Sequence, residues 1–307
     1  MTPFRKITKN HRLGFIGLGH LGSPMARRLL SAEFPMVVYN RDNNRTQPLS
    51  SLGAKVVRDP KTLAGEVDVV LSCVANDAAV DAVYLGEGGV LRNARPDTLV
   101  IEMSTVSPDT SRKIHRVGRE LGISVLDVAV SGSTPAAEAG MLTLLGGGER
   151  QDFDAAEAIF AALAKQWFYM GPSGSGVSMK LVVNTLLGIG MQAVAEAVAL
   201  GGALGLPRDL LFDTLAKTAV VSPVQVGKLG STKRHDYASQ FPIRLMQKDF
   251  GLALSAARRA SLSLPATEAA AAVNAAESAS GGEEDFSAVV RWMERQVAVE
   301  SSLPPAA

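Results

Sequence analysis

One cysteine, Cys73, stands in a chain of 307 residues. That scarcity excludes an internal disulfide and any multi-cysteine metal site, and it suits a reducing compartment. Histidine is almost as rare: the four residues are dispersed in no metal-ligand spacing, so no metal is expected. No charge of one sign dominates, because 31 Lys and Arg face 30 Asp and Glu for a net +1. The basic residues are scattered, which leaves no stripe for nucleic acid. No apolar h-region or cleavage site follows the basic start (Arg5, Lys6, Lys9, Arg12), so this segment is expected to be a short solvated tail and the protein cytoplasmic. No internal repeat is evident, and no glycine precedes Ser131 at the offset of a nucleophile elbow.

Glycine is present where it carries meaning. Leu13 to Arg28 read L-G-F-I-G-L-G-H-L-G-S-P-M-A-R-R, a short apolar run followed by Gly17, Gly19 and Gly22 in the spacing GxGxxG. A residue without Cβ lets the chain turn sharply out of a strand, lets backbone approach a pyrophosphate, and lets the next helix pack closely. A helix from about Leu21 would point its free N–H groups at the phosphates, with Leu18, His20 and Leu21 lining the loop. The motif alone also fits an ordinary strand-to-helix turn. Its context favours a dinucleotide: a second strand, Met36 to Tyr39, ends where such a unit meets the adenosine ribose. Asn40-Arg41 stands there in place of the usual acid. A guanidinium can hold a 2′-phosphate with two hydrogen bonds, which points to NADP(H) over NAD(H) unless Arg41 is only a solvated loop charge.

A chain of this length carries about two domains with real cores. Val67 to Val74, Thr98 to Met103, Val125 to Val130 and Met141 to Leu145 read as further buried strands, with helices over Ser107 to Leu121 and Asp152 to Ala164. From Ser175 the alternation stops. One long apolar stretch to Gly202 is followed by helices over Pro207 to Lys217, Arg244 to Ala260, Pro265 to Ser280 and Asp285 to Val299, and only the Leu303-Pro-Pro-Ala-Ala end reads as unstructured. The expected architecture is α/β: an N-terminal doubly wound Rossmann domain (1–172) joined by a long inter-domain helix to a C-terminal all-α domain (173–307).

Leu181 to Leu206 is long and apolar enough to span a bilayer. Asn184, Gln192 and Glu196 interrupt it and Lys180 precedes it, so burial against protein is the simpler reading and no membrane partner is expected. A helix apolar on nearly all faces, with the alanine-rich Ala269 to Ala276, implies a homodimer or homotetramer.

Gly176, Lys180 and Asn184 are spaced i, i+4, i+8 and share one helix face, with the glycine leaving room beside the ammonium. Lysine can protonate a carbonyl oxygen as hydride arrives if burial lowers its pKa from about 10.4. Spacing alone equally fits a lysine snorkelling at a helix end.

Together these segments resemble the β-hydroxyacid dehydrogenases, which include 3-hydroxyisobutyrate dehydrogenase and tartronate semialdehyde reductase. The resemblance runs through GFIGLGHLGSPMARRL, the loop D-V-A-V-S-G-S from Asp127 to Ser133, G-V-S-M-K-L-V-V-N over 176 to 184, and Lys248-Asp249-Phe-Gly-Leu-Ala. It implies that Lys180 is the catalytic acid/base, that Ser131, Gly132 and Ser133 bind a substrate carboxylate, and that Asn184 holds the substrate. Val74, Ala75 and Thr105 would line the cofactor site, and Lys248 would close over the nicotinamide side. Two departures border the pocket: S-G-S where the family usually has S-G-G, and Cys73-Val74-Ala75 where it has M-L-P. The implied reaction is hydride transfer between NADP(H) and a small 3-hydroxy acid or its semialdehyde. An imine reductase of similar fold and a non-catalytic cofactor-bound module remain the alternatives.

Overall fold

The computed structural model describes residues 4–300, with the side chains of 298–300 left aside, so the Leu303-Pro-Pro-Ala-Ala end lies outside the described residues. The chain divides into two compact units, Met1–Lys180 and Leu181–Ala307.

The first unit is built on one sheet. Its strands are β1 (Leu13–Ile16), β2 (Met36–Tyr39), β3 (Lys55–Val56), β4 (Val69–Ser72), β5 (Leu99–Glu102), β6 (Ser124–Ser131), β7 (Leu142–Gly147) and β8 (Ala164–Gly171), in the order β3-β2-β1-β4-β5-β6-β7-β8. All neighbours run parallel except β6 and β7. The helices between them are α1 (Gly22–Ser31), α2 (Gln47–Ser50), α3 (Pro60–Glu66), α4 (Asp77–Tyr84), α5 (Val90–Asn93), α6 (Pro108–Glu120), α7 (Thr134–Glu138), α8 (Arg150–Ala155) and α9 (Glu157–Leu163). Parallel strands need covered faces, which explains the unbroken apolar runs. Successive side chains alternate between the two: Phe15, Leu71, Ile101 and Leu126 join one core, Ile16, Val70, Val100 and Val125 the other. This is the doubly wound α/β architecture expected.

Three local readings change. The start of the chain is not a loose tail: Ile7 is buried, its N–H donates to Ala155 O at 2.9 Å, and Phe4 N–H donates to Asp152 Oδ1 at 2.8 Å. Arg5, Lys6, Thr8, Lys9 and Asn10 around it face solvent. The single helix expected over 152–164 is two, broken at Ala156. The edge strand β8, over residues where no strand is expected, alternates in exposure: Trp167 and Tyr169 pack inward on Phe160 and Phe153 at centroid separations of 6.3 and 5.5 Å, while Phe168 and Met170 point out.

The second unit is helical. α10 (Ser175–Ala203) runs into it and is followed by α11 (Arg208–Leu215), α12 (Pro223–Lys233), α13 (Ile243–Arg259), α14 (Pro265–Gly281) and α15 (Val289–Glu300). Met191, Ala195 and Val198 of α10 enter a core with Phe212, Met246, Phe250 and Val290. α10 is long and apolar enough to cross a membrane by length and composition. One of its faces is packed in that core, whereas Val182, Leu186 and Leu200 form an exposed stripe. α12 lies where no helix is expected, although its start carries the signal of a capping box: Ser222 and Gln225 exchange hydrogen bonds between side chain and backbone.

Candidate active site

Three adjacent strands bring together the candidate residues of the first unit. β1, β4 and β5 are parallel neighbours, so the Gly17 turn, Val74-Ala75 and Thr105 follow their carboxyl ends on one edge of the sheet, where open α/β sheets bind ligands. The three glycines answer to different needs. Gly17 has φ +91°, and a Cβ there would lie 2.3 Å from Cys73 O. A Cβ on Gly22 would lie 1.9 Å from Gly17 O, so this glycine lets α1 pack on the turn. Gly19 faces open space, with no protein atom within 4 Å of a Cβ. Packing requires the first two; Gly19 leaves backbone exposed for close approach by a phosphate. The loop therefore fits a pyrophosphate.

Leu18 is used by the protein itself. Its side chain is core, and its N–H donates to Asn40 Oδ1 at 2.8 Å. The Asn40 amide in turn donates to Asp42 O at 2.8 Å. His20 and Arg41 are exposed. Arg45, one helical turn beyond Arg41, brings a second guanidinium to this loop and reaches Leu18 O at 3.5 Å.

The substrate-loop candidates lie on the same edge. Ser131 ends β6, Gly132 turns with φ +146°, and Ser133 caps α7 in extended conformation. Thr134 Oγ1 donates to His20 O at 3.4 Å, joining this loop to the glycine-rich one. Beneath both lies a buried polar row. Ser72, Glu102 and Asp127 occupy matched positions on β4, β5 and β6. Tyr84 Oη donates to Ser72 Oγ at 2.6 Å, and Glu102 Oε1 accepts from Ser72 Oγ at 3.4 Å and from Ser104 N–H at 2.8 Å. Ser104 Oγ then accepts from Val74 N–H at 2.8 Å, fixing the chain that follows β4. Burial pushes the Glu102 carboxyl up to about 8, so it carries a proton at neutral pH.

Asp127 was not singled out from sequence as a site residue, yet it receives the start of α10. Its Oδ1 accepts from Gly174 N–H at 2.8 Å and its Oδ2 from Val177 N–H at 3.0 Å. Burial raises the Asp127 carboxyl against these two bonds. Gly176 is explained here and not by room for substrate: a Cβ on it would meet Leu145 O at 2.4 Å and Asp127 O at 2.5 Å. The expected space beside the ammonium is filled by sheet backbone.

Lys180 and Asn184 follow at one-turn spacing on α10, and both are buried. Within the helical unit, Asn184 Nδ2 donates to Asp249 Oδ2 at 2.5 Å, and Lys248 Nζ lies 3.1 Å from Asp249 Oδ1. A carboxylate only accepts, so the Asn184 amide must turn its nitrogen to Asp249. Its Oδ1 is left buried with no hydrogen-bond partner, an acceptor held ready for a hydroxyl or ammonium. Asp249, which the sequence marked only as a neighbour of Lys248, thus orients the Asn184 amide. Among the described residues, no group of three or more His, Cys, Asp or Glu is placed to hold a metal.

Residues 12–171 match the family model of the NAD binding domain of 6-phosphogluconate dehydrogenase, and residues 174–293 match that of the NAD-binding segment of NADP-dependent 3-hydroxyisobutyrate dehydrogenase. The chain belongs to the β-hydroxyacid dehydrogenase family. Among relatives in this family, the NAD-dependent L-serine dehydrogenase of Pseudomonas aeruginosa is 36% identical over 83% of this chain and 88% of its own. Glyoxylate/succinic semialdehyde reductase 1 of Arabidopsis thaliana is 34% identical over 91% and 96%. The solved structure of 3-hydroxyisobutyrate dehydrogenase from Mycobacterium tuberculosis, with L-serine, superposes with a TM-score of 0.83 at 29% identity over 92% of this chain and 99% of that one. An imine reductase of Myxococcus stipitatus, 20% identical over 92% of this chain and 99% of that one with a TM-score of 0.64, shares the β-hydroxyacid dehydrogenase fold.

Proposed function

We propose that this chain is an NADP(H)-preferring oxidoreductase that interconverts a small 3-hydroxy acid and its semialdehyde, or the corresponding short oxo acid. The observation that carries this reading is the pair Lys180 and Asn184, buried on one face of α10, with Asn184 oriented by Asp249. A dinucleotide would lie over Gly17, Gly19, His20, Leu21 and Gly22, with Asn40 and Arg41 at the ribose end, Val74, Ala75 and Thr105 along the strand ends, and Lys248 on the nicotinamide side. When bound, its nicotinamide accepts or supplies the hydride. In the oxidative direction Lys180 Nζ takes the hydroxyl proton as the C–H bond breaks; in reduction it returns that proton to the carbonyl oxygen. The second N–H of the Asn184 amide donates to the substrate hydroxyl oxygen and keeps it in line. Ser131, Gly132 and Ser133 present hydroxyls and backbone N–H groups to the carboxylate.

Arg41 supports NADP(H), because a guanidinium pairs with a 2′-phosphate and no carboxylate stands at Asn40 to repel it. The exposed stripe of Val182, Leu186 and Leu200 supports a homodimer or homotetramer, and the single cysteine supports a cytoplasmic setting. The relatives add L-serine to the panel. The test is NADPH oxidation with glyoxylate and with succinic, tartronate and methylmalonate semialdehydes, and NADP+ reduction with 3-hydroxyisobutyrate and L-serine. Each aldehyde is paired with its uncharged analogue. Turnover confined to the acids is the expected result; equal turnover of the uncharged analogues would remove the carboxylate role of Ser131 to Ser133.

A further inference from the structure

We propose that Asp127 is a positioning residue for Lys180: its carboxylate grips the first turn of α10 and thereby sets where the next turn presents the ammonium. The inference rests on the catalytic reading of Lys180 made above.

Three observations converge on one socket, and all lie within the first unit. Asp127 uses both oxygens, one on Gly174 N–H at 2.8 Å and one on Val177 N–H at 3.0 Å. These N–H groups flank the start of α10 at Ser175 and belong to the set that no helix can satisfy internally. A carboxylate there also faces the positive end of the helix dipole. The second observation is close approach. Gly147, paired with Asp127 across β6 and β7, leaves a gap in which a Cβ would lie 2.8 Å from Asp127 Oδ1 and 2.9 Å from Gly176 N. Gly176 itself rests on Leu145 O and Asp127 O. The third is burial: Asp127 is 1% exposed and Val177 is fully enclosed, so water cannot replace the lost bonds. Lys180 sits three residues after Val177, within one turn, and inherits the position of that turn directly. Helix capping alone would explain stability; the two-point grip over a glycine floor also fixes rotation and translation of the helix start.

The experiment is a double-mutant cycle between Asp127→Asn and Lys180→Ala. The amide can accept at only one of the two N–H groups and turns its own donors toward the other. With saturating cofactor, Asp127→Asn should lower kcat by about 10- to 100-fold, the loss typical of a slightly misplaced catalytic group, while NADPH affinity stays within about twofold. In the Lys180→Ala background the same change should cost at most about threefold, because the group it positions is gone. Asp127→Asn with kcat within about twofold of the unmodified enzyme overturns the proposal, as does an equal loss in both backgrounds. Near-normal turnover by Lys180→Ala would instead overturn the catalytic reading of Lys180, a distinct outcome. Should Asp127→Asn not fold, the cycle is run with Asp127→Glu, and hydrogen exchange is followed in the unmodified protein. Slow exchange at Gly174 and Val177 is expected; exchange at the rate of an open loop overturns the grip.

Discussion

Asn40 Oδ1 accepts the backbone N–H of Leu18 at 2.8 Å, so the residue that follows β2 holds the glycine-rich loop after β1. Arg41 beside it is exposed and makes no such tie. The two neighbours should separate on substitution. Arg41→Ala is expected to weaken NADP(H) selectively, by about 10-fold or more as a bidentate phosphate pair is lost, with NAD(H) little changed. Asn40→Ala should weaken both cofactors. Fluorescence titration of the four variant–cofactor pairs checks this, and higher efficiency with NAD(H) in the unmodified enzyme would sink the assignment of Arg41.

The glycines of the loop give a second contrast. Gly22→Ala places a methyl group 1.9 Å from Gly17 O and should destabilise the cofactor-free protein by about 1–3 kcal/mol, read from denaturant unfolding. Gly19→Ala adds its methyl group to open space and should leave stability unchanged while weakening dinucleotide binding. Normal cofactor affinity in Gly19→Ala would place the pyrophosphate elsewhere.

For the chemistry, Lys180→Ala should reduce turnover by about 10²- to 10⁴-fold, the usual cost of removing a general acid/base, with NADPH binding nearly intact. Lys180→Arg should also be poor, because a guanidinium hardly releases a proton. Steady-state kinetics on folded variants decide it.

Glu102 predicts a pH dependence of stability. Its folded value of about 8 lies above the ordinary 4.5, so between these limits the folded state holds a proton that the unfolded chain releases. Stability from this group is complete below about pH 4.5 and is lost as pH rises toward 8. Urea unfolding across that range should show a downward slope that Glu102→Gln flattens. An unchanged slope would mean that the buried carboxyl is ionised.

The apolar stripe on α10 predicts the assembly. Leu186, 70% exposed, and Leu200, 61% exposed, should sit in a subunit interface. Light scattering at micromolar protein should give a dimer or tetramer, and Leu186→Glu with Leu200→Glu should shift it toward monomer. A monomeric unmodified protein would remove the proposal.

Where side-chain pattern and backbone demand coincide, the fold is legible in the sequence. β2 occupies Met36–Tyr39 as read, because four apolar residues stand between Pro35 and Asn40, and α13 and α14 follow their periodicity and leading prolines to within a residue or two. Legibility fails where tertiary contacts choose between outcomes. Trp167 and Tyr169 become β8 only because Phe160 and Phe153 await them, and the N-terminal segment docks only because Ala155 O and Asp152 are within reach. In the site, Lys180 and Asn184 announce themselves by spacing. Asp127 and Asp249 do not, because a buried acid is defined by the N–H groups and amides it meets from distant parts of the chain.

Gly176 and Lys180 stand in one motif but answer to different masters. The glycine is dictated by the Leu145 and Asp127 carbonyls under α10, while the lysine follows one turn later on the same helix. Evolution can therefore edit them separately. On the role proposed for Lys180, a single exchange at position 180 would silence the reaction and leave the glycine-rich loop, whose shape Gly17 and Gly22 dictate, as a dinucleotide-binding scaffold alone.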